Sequence, residues 1–256
     1  MFNIEHLHMI RAAEIERLVS HLRPGARILE VGAGTGQQTK MLWERGFDVT
    51  AIEMVNSNYV DNRVVPITDY DGRNFPFGDA SFDIVFSSNV LEHVPDLTQM
   101  HAETARVLRP GGYALHIMPT HVWRFWTTVS AFPDAAFSIG KALPEALPRW
   151  PFGWSEVKRL GRVGLRIARY AAAPFFQRRH GERGNTLSET FLFHPDWWRE
   201  NFRANGFEVV RDEPLGLFYT GNMVRGLAWP VARRAELAKR YGSACHLFEV
   251  KPARRP

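Results

Sequence analysis

The chain contains one cysteine, Cys245, so neither a disulfide framework nor a cysteine-based zinc site can form within it. A cytoplasmic setting is the expected one. Long apolar runs are also missing: none approaches the ~20 residues that a membrane-spanning helix needs. Contact with a membrane is therefore expected to be peripheral. Met1 to Arg17 interleaves Glu5, Arg11, Glu14 and Glu16 with apolar positions, which predicts an amphipathic helix and not a signal peptide. Neither sign of charge dominates, with 32 Lys and Arg against 27 Asp and Glu, a net +5. So mild an excess favours acidic partners without choosing between anionic lipid, glycan and nucleic acid. Disorder is excluded by a hydrophobic content of 45% and an aromatic content of 12%. The 256 residues suit one domain, 1–256, that carries an insertion.

Short β-rich runs alternate with helical periodicity through the first half. A helix is expected over Ile4 to Leu22, stopped by Pro24-Gly25. Strands are expected at Arg27 to Val31, Asp48 to Ile52, Arg63 to Ile67, Phe82 to Phe86 and Tyr113 to Met118. Helices are expected at Gln37 to Arg45 and Asp96 to Leu108, while Asn56 to Asn62 is polar and broken, so that its helix should be short or missing. The rhythm breaks from His121 to Ser188, a stretch rich in Pro, Trp, Phe and Arg. A structureless loop of that length would be unusual in a compact domain, so 121–190 is read as a helical insertion or lid. Regularity returns with a helix at Trp197 to Asn205 and a strand at Phe207 to Arg211. A smaller insertion at Gly221 to Gly242, a last strand at Ala244 to Val250 and a short basic tail from Ala253 follow. The sum is an α/β fold: a Rossmann-like, doubly wound, seven-stranded and mostly parallel sheet with a helical insertion after strand five.

Ile28 to Gly36 reads ILEVGAGTG, a strand running straight into three alternate glycines and then a helix. Glycine is needed where the backbone turns tightly and lets a ligand come close. The free N–H groups of the following helix can receive an anionic group. The glycines fall at the first, third and fifth positions, whereas the dinucleotide pattern places them at the first, third and sixth. That spacing favours a nucleoside-type ligand without a pyrophosphate. Glu53 ends the second strand, about twenty positions on, where an acidic side chain accepts from ribose hydroxyls. Asp69-Tyr70-Asp71-Gly72 offers carboxylates after the third strand, fit to accept from an exocyclic amine. Arg106 to Gly112 is a helix end and turn with a structural role.

The blocks EVGAGTG, AIE, DGRNFPFGDASFDIVFSSNVLEHV and VLRPGGY resemble, in order and spacing, the class I S-adenosylmethionine-dependent methyltransferases. The likeness is to the small-molecule group similar to the ubiquinone and menaquinone biosynthesis methyltransferases, and it runs from Ile28 to about Met118. It implies S-adenosyl-L-methionine as cofactor. Gly32, Gly34 and Gly36 would then lie under the methionine moiety, with Glu30 near its amino group. Glu53 would hold the ribose and Met54 would pack on the adenine. Asp71 and Gly72 would bracket the adenine edge, Asp71 preferred to Asp69 because it stands four residues before Phe75-Pro76-Phe77. Ser88 and Asn89 would approach the methionine part.

The acceptor is less constrained. Ser88-Asn89-Val90-Leu91 is not the Asn/Asp-Pro-Pro-aromatic motif expected for amino groups of nucleobases, and Cys245 falls in the last strand. Glu92-His93 has Asn89 where a metal-binding Glu-x-x-Glu-His stretch carries its first glutamate, so no metal site is expected. His121, after strand five at the carboxyl edge of the sheet, is the first candidate for a general base. His180, Glu182, Glu189 and His194 are candidates to line an acceptor pocket. Along Val157 to Tyr170 the basic residues Lys158, Arg159, Arg162, Arg166 and Arg169 share one helical side, and Val157, Leu160, Val163, Ile167 and Tyr170 the other. Such a helix is either a lid or an interfacial contact with anionic membrane. The expected activity is methyl transfer to a small-molecule, lipid-linked or glycan acceptor, at oxygen. The alternatives are a tRNA or other nucleic-acid methyltransferase, and a non-catalytic cofactor-binding module.

Overall fold

A computed structural model describes residues 4–223 and 226–253. The basic tail beyond Ala253 lies outside the described residues, as do Val224 and Arg225 within the second insertion. Ala253 itself is pinned, its amide donating to the Gly206 carbonyl at 2.8 Å.

Seven strands form the sheet: β1 (Arg27–Val31), β2 (Asp48–Met54), β3 (Thr68–Tyr70), β4 (Phe82–Ser88), β5 (Leu108–Pro119), β6 (Phe207–Pro214) and β7 (Cys245–Pro252). Their order is β3-β2-β1-β4-β5-β7-β6. The first five run parallel, and β7 is antiparallel to both β5 and β6. Successive residues of a strand point to opposite faces, and both faces here are apolar. Leu29 and Val85 feed one core with Trp198 and Phe202. Their neighbours Ile28 and Ile84 feed the other, with Ile15 and Leu18. Helices α1 (Ile4–Leu18), α2 (Gln37–Trp43), α3 (Leu97–Val107) and α7 (Pro195–Ala204) flank the sheet, and α8 (Val231–Tyr241) occupies the smaller insertion. The order in which successive strands are laid down reverses between the parallel β1 and β4, which opens a crevice at their carboxyl ends.

The third strand departs from expectation. Pairing with β2 is made by Thr68–Tyr70, not by the apolar run Arg63 to Ile67. That run is held instead against the glycine loop: the Val64 amide donates to the Thr35 carbonyl, and Val65 and Ile67 crowd Gly36. Asn56 to Asn62 contains only a short 3₁₀ turn at Val60–Asn62. β5 starts earlier than expected, at Leu108, and absorbs Pro110-Gly111-Gly112 as an irregularity opposite Phe82 to Ile84.

Between β5 and β6 stand α4 (His121–Ala142), α5 (Trp154–Ala172) and the short α6 (Glu189–Leu192). Thr120 caps α4, its hydroxyl accepting from the Trp123 amide. α5 packs along α4. Val163 is buried and Leu160, Ile167 and Tyr170 are half-buried, whereas Lys158, Arg162 and Arg169 are exposed. Arg159 pairs with Glu156 within the helix, and Arg166 pairs with Glu145, which ties the helix to the turn before it. No described helix is long and apolar enough to cross a membrane.

Candidate active site

The crevice is a cleft of about 1480 Å³. One side is the sheet edge, with Gly32, Gly34, Glu53, Met54, Asp71 and Gly72. The opposite side is built by the insertion, with Trp123, Thr127, Phe137 and Lys141 of α4 and Tyr170 of α5. His6, Leu7 and Arg11 of α1 close a third edge.

On the sheet side the backbone is set for close approach. Gly32, Gly34 and Gly36 have φ of 73°, 58° and 80°, values that side chains with a Cβ rarely adopt. A Cβ on Gly32 would stand 2.5 Å from Val90 Cγ2. Glu53 leaves β2 and turns its carboxylate to the loop, accepting from the Gly34 amide at 2.6 Å. Met54 borders the cleft beside Gly72, where a Cβ would meet Met54 Cε at 3.3 Å. A carboxylate, a thioether wall and a loop with no side chains thus meet at one end of the cleft. These residues fit a nucleoside joined to an amino acid: the carboxylate for the ribose hydroxyls, the wall for the base, the bare loop for the amino-acid part.

The remaining expected contacts are distributed less simply. Asp71 borders the cleft, but its Oδ1 accepts from the Arg73 and Asn74 amides and its Oδ2 from the Asn74 side chain. Those bonds hold its carboxyl below the usual range. Asp69 pairs with Arg63 at 2.6 Å. Glu30 is buried behind the loop, where it accepts from the Thr39 hydroxyl, and burial pushes its carboxyl up to about 7. Gly36 faces Val65 and is not part of the cleft wall. Asn89 lines the cleft with φ of 54°, a conformation Asn tolerates. Ser88 turns towards α1, its hydroxyl 3.2 Å from Glu14 Oε2 and 3.3 Å from Arg11 Nη1.

His121 is not brought to the cleft. It is the first residue of α4, its ring lies 4.5 Å from that of His194, and neither borders the cavity. A helix puts successive side chains about 100° apart, so Trp123, Arg124 and Thr127 face inward and His121 does not. The histidines that border the cleft are His6, His93 and His180. His6 lies in the amphipathic N-terminal stretch and was not legible as a cleft residue, because nothing in its spacing says where α1 docks. Burial, with Arg234 adding to it, lowers its pKa to about 4. His180 comes from the end of the insertion. Of the residues expected beside it, Glu189 is buried and pairs with the nearly buried Arg124 at 3.3 Å. Glu182 does not border the cleft.

Strand order, glycine loop and acidic strand end together define an α/β protein with a nucleoside-type cleft at the switch point. The stretch 29–116 matches the family model described as a methyltransferase domain. Among curated proteins the chain is 34% identical over 119 residues to an uncharacterized methyltransferase of Mycobacterium sp. (strain KMS), covering 43% of this chain and 45% of that protein. It is 30% identical over 178 residues to a demethylmenaquinone methyltransferase of Renibacterium salmoninarum, covering 58% of this chain and 75% of that enzyme. The chain thus spans about half the length of the mycobacterial relative. Among solved structures, an S-adenosylmethionine-dependent methyltransferase from Mesorhizobium loti superposes with a TM-score of 0.53 at 17% identity, over 93% of this chain and 97% of that one. The chain belongs to the class I S-adenosylmethionine-dependent methyltransferases.

Proposed function

We propose that the protein transfers a methyl group from S-adenosylmethionine to an oxygen of a small, amphipathic acceptor of the lipid-linked or glycan-bearing kind. The observation that carries this is the make-up of the wall facing the glycine loop. It combines Phe137, Ala131 and Tyr170 with the cations Lys141, Arg178 and Arg179, so the wall offers an acceptor both apolar surface and positive charge. S-adenosylmethionine, when bound, supplies an electrophilic methyl carbon on its sulfonium. The chain's own task is alignment and exclusion of water. Glu53 and the glycine loop fix one reactant against the sheet, and α4, α5 and α1 shape the space for the other.

Peripheral contact with an anionic membrane belongs to the same proposal. Trp150, Phe152 and Trp154 at one end of α5 and Phe175 and Phe176 beyond the other are exposed, Trp150 by 92%. They flank the exposed cations Lys158, Arg162 and Arg169, an arrangement that suits an interface of apolar core and anionic headgroups.

Turnover is tested with methyl-labelled S-adenosylmethionine and a panel of lipid-linked, glycan, quinone-type and tRNA acceptors. Label on an oxygen of a lipid-linked or glycan acceptor is the expected result. Label on tRNA alone would replace the acceptor class. No label on any acceptor from protein that binds S-adenosylhomocysteine would favour a binding module without catalysis.

A further inference from the structure

We propose that Glu92, His93 and His180 form a site for one divalent transition-metal ion on the acceptor side of the cleft. The first two sit on the turn that follows β4, and the third is delivered by the end of the insertion. The sequence spoke against such a site because Asn89 stands where a Glu-x-x-Glu-His stretch carries its first glutamate; the ligand that completes the set, His180, lies 87 positions beyond His93 and belongs to no local motif.

The observation that points to a ligand is the state of Glu92. Its residue is 1% exposed, yet neither carboxylate oxygen has a hydrogen-bond partner among the described residues. A buried carboxylate left this way is costly unless something charged joins it. The neighbouring Arg183 does not provide the bond, since its guanidinium donates to the Leu91 and Val94 carbonyls. What faces Glu92 Oε1 are His93 Nε2 and His180 Nε2, each at 3.8 Å. The three candidate ligand atoms lie within 4.8 Å of one another.

Those separations are long for hydrogen bonds and close to what a shared ion requires. Two atoms bound to one metal at roughly 2.0–2.1 Å in tetrahedral geometry stand about 3.3 Å apart. Rotation of the side chains by a few tenths of an ångström to an ångström closes the set. Two imidazole nitrogens and one carboxylate suit Zn²⁺, Co²⁺, Mn²⁺ or Fe²⁺ better than Mg²⁺ or Ca²⁺. Because His93 and His180 border the cleft, the remaining coordination positions open towards the acceptor, as in a catalytic site and unlike a closed structural one.

The surroundings hold the ligands in place. The His180 ring packs 4.6 Å from Trp123 and 4.7 Å from His93. The amides of His180 and Gly181 both donate to Glu189 Oε1, whose other oxygen faces Arg124. The Glu182 amide donates to the Glu92 carbonyl at 2.8 Å. A Cβ at position 181 would stand 2.8 Å from that carbonyl oxygen, so Gly181 permits the insertion to lie directly on the ligand turn. Such outer contacts orient ligands and tune affinity. If methyl transfer to oxygen is the reaction, an ion here would bind the acceptor oxygen and favour its deprotonated form. Metal binding itself does not rest on that reading.

The full chain, stripped with chelator, is titrated with Co²⁺ by visible absorption and with Zn²⁺ by calorimetry at pH 7.5. One ion per chain is expected, with Zn²⁺ displacing Co²⁺. His180→Ala and His93→Ala should each weaken binding about tenfold or more while circular dichroism and melting temperature stay at wild-type values. Glu92→Gln should do the same; if it does not fold, the histidine variants carry the test. Absence of binding to the wild-type chain would overturn the proposal and leave a cluster of one carboxylate and two histidines. Binding that survives in both histidine variants would also overturn it, by placing the ion on other histidines.

Discussion

The Glu53 carboxylate accepts from the Gly34 amide at 2.6 Å, joining the end of β2 to the middle of the glycine loop. One side chain therefore shapes the loop and faces the cleft. Glu53→Ala should weaken binding of S-adenosylmethionine and S-adenosylhomocysteine about tenfold or more, a loss of roughly 1.4 kcal/mol, read by isothermal titration. Unchanged affinity in a folded variant would remove the ribose role from Glu53.

Gly32→Ala brings a Cβ to 2.5 Å from Val90 Cγ2 at a φ of 73°. Overpacking costs about 1–3 kcal/mol and the left-handed backbone about 1–2 kcal/mol more. Urea unfolding should show that loss, and Gly32→Ala/Val90→Ala should recover the steric part alone. Full recovery in the double variant would mean that backbone conformation is not limiting there.

Stability should fall with acid through two buried histidines. His101 and His116 are each 1% exposed, and burial lowers their pKa values to about 4 and about 3. The unfolded chain takes up protons near 6.5, while the folded chain does not until well below. The unfolded state thus binds more protons in this window. Stability is fully present above pH 6.5 and declines as the pH falls towards 4, at up to about 2.7 kcal/mol per pH unit. Urea midpoints at pH 7 and pH 5.5 measure the slope, and His101→Gln should reduce it by one histidine's share, up to about 1.4 kcal/mol per pH unit. A slope equal to wild type would show that His101 is not excluding the proton.

Vesicles separate a lid from a membrane contact. Co-flotation with anionic vesicles at low salt is expected, with loss at high salt and in Trp150→Ala/Trp154→Ala. No flotation at low salt would leave α5 as a cleft wall only.

Much of the cofactor half of the site was legible because its chemistry is local. A strand, a glycine loop and the next strand's acidic end occupy consecutive segments, so spacing alone places them. The third strand was misplaced for a physical reason. Val65 and Ile67 look like part of a strand because they are apolar, but they pack against the glycine loop. The polar Thr68–Tyr70 makes the edge pairing. His121 illustrates the second limit: a residue at the right edge of the sheet still points wherever its helix phase sends it. His180 illustrates the third. Its position against Glu92 depends on how α4 and α5 fold back, and no periodicity records that.

β7 lies between β5 and β6, antiparallel to both. During synthesis the sheet must therefore stop at β5 until the segment ending at Pro252 has emerged, because β6 has no partner before then. The nascent chain carries an unpaired parallel edge from Pro119 onward and, once Pro214 has emerged, a detached strand as well, until β7 arrives. Closing the gap requires Leu115 to meet Glu249, a contact between distant parts of the sequence, and pairings of that kind form slowly. The last strand thus acts as the keystone, and a ribosome stalled before it would hold a protein with its cleft walls made and its sheet unfinished.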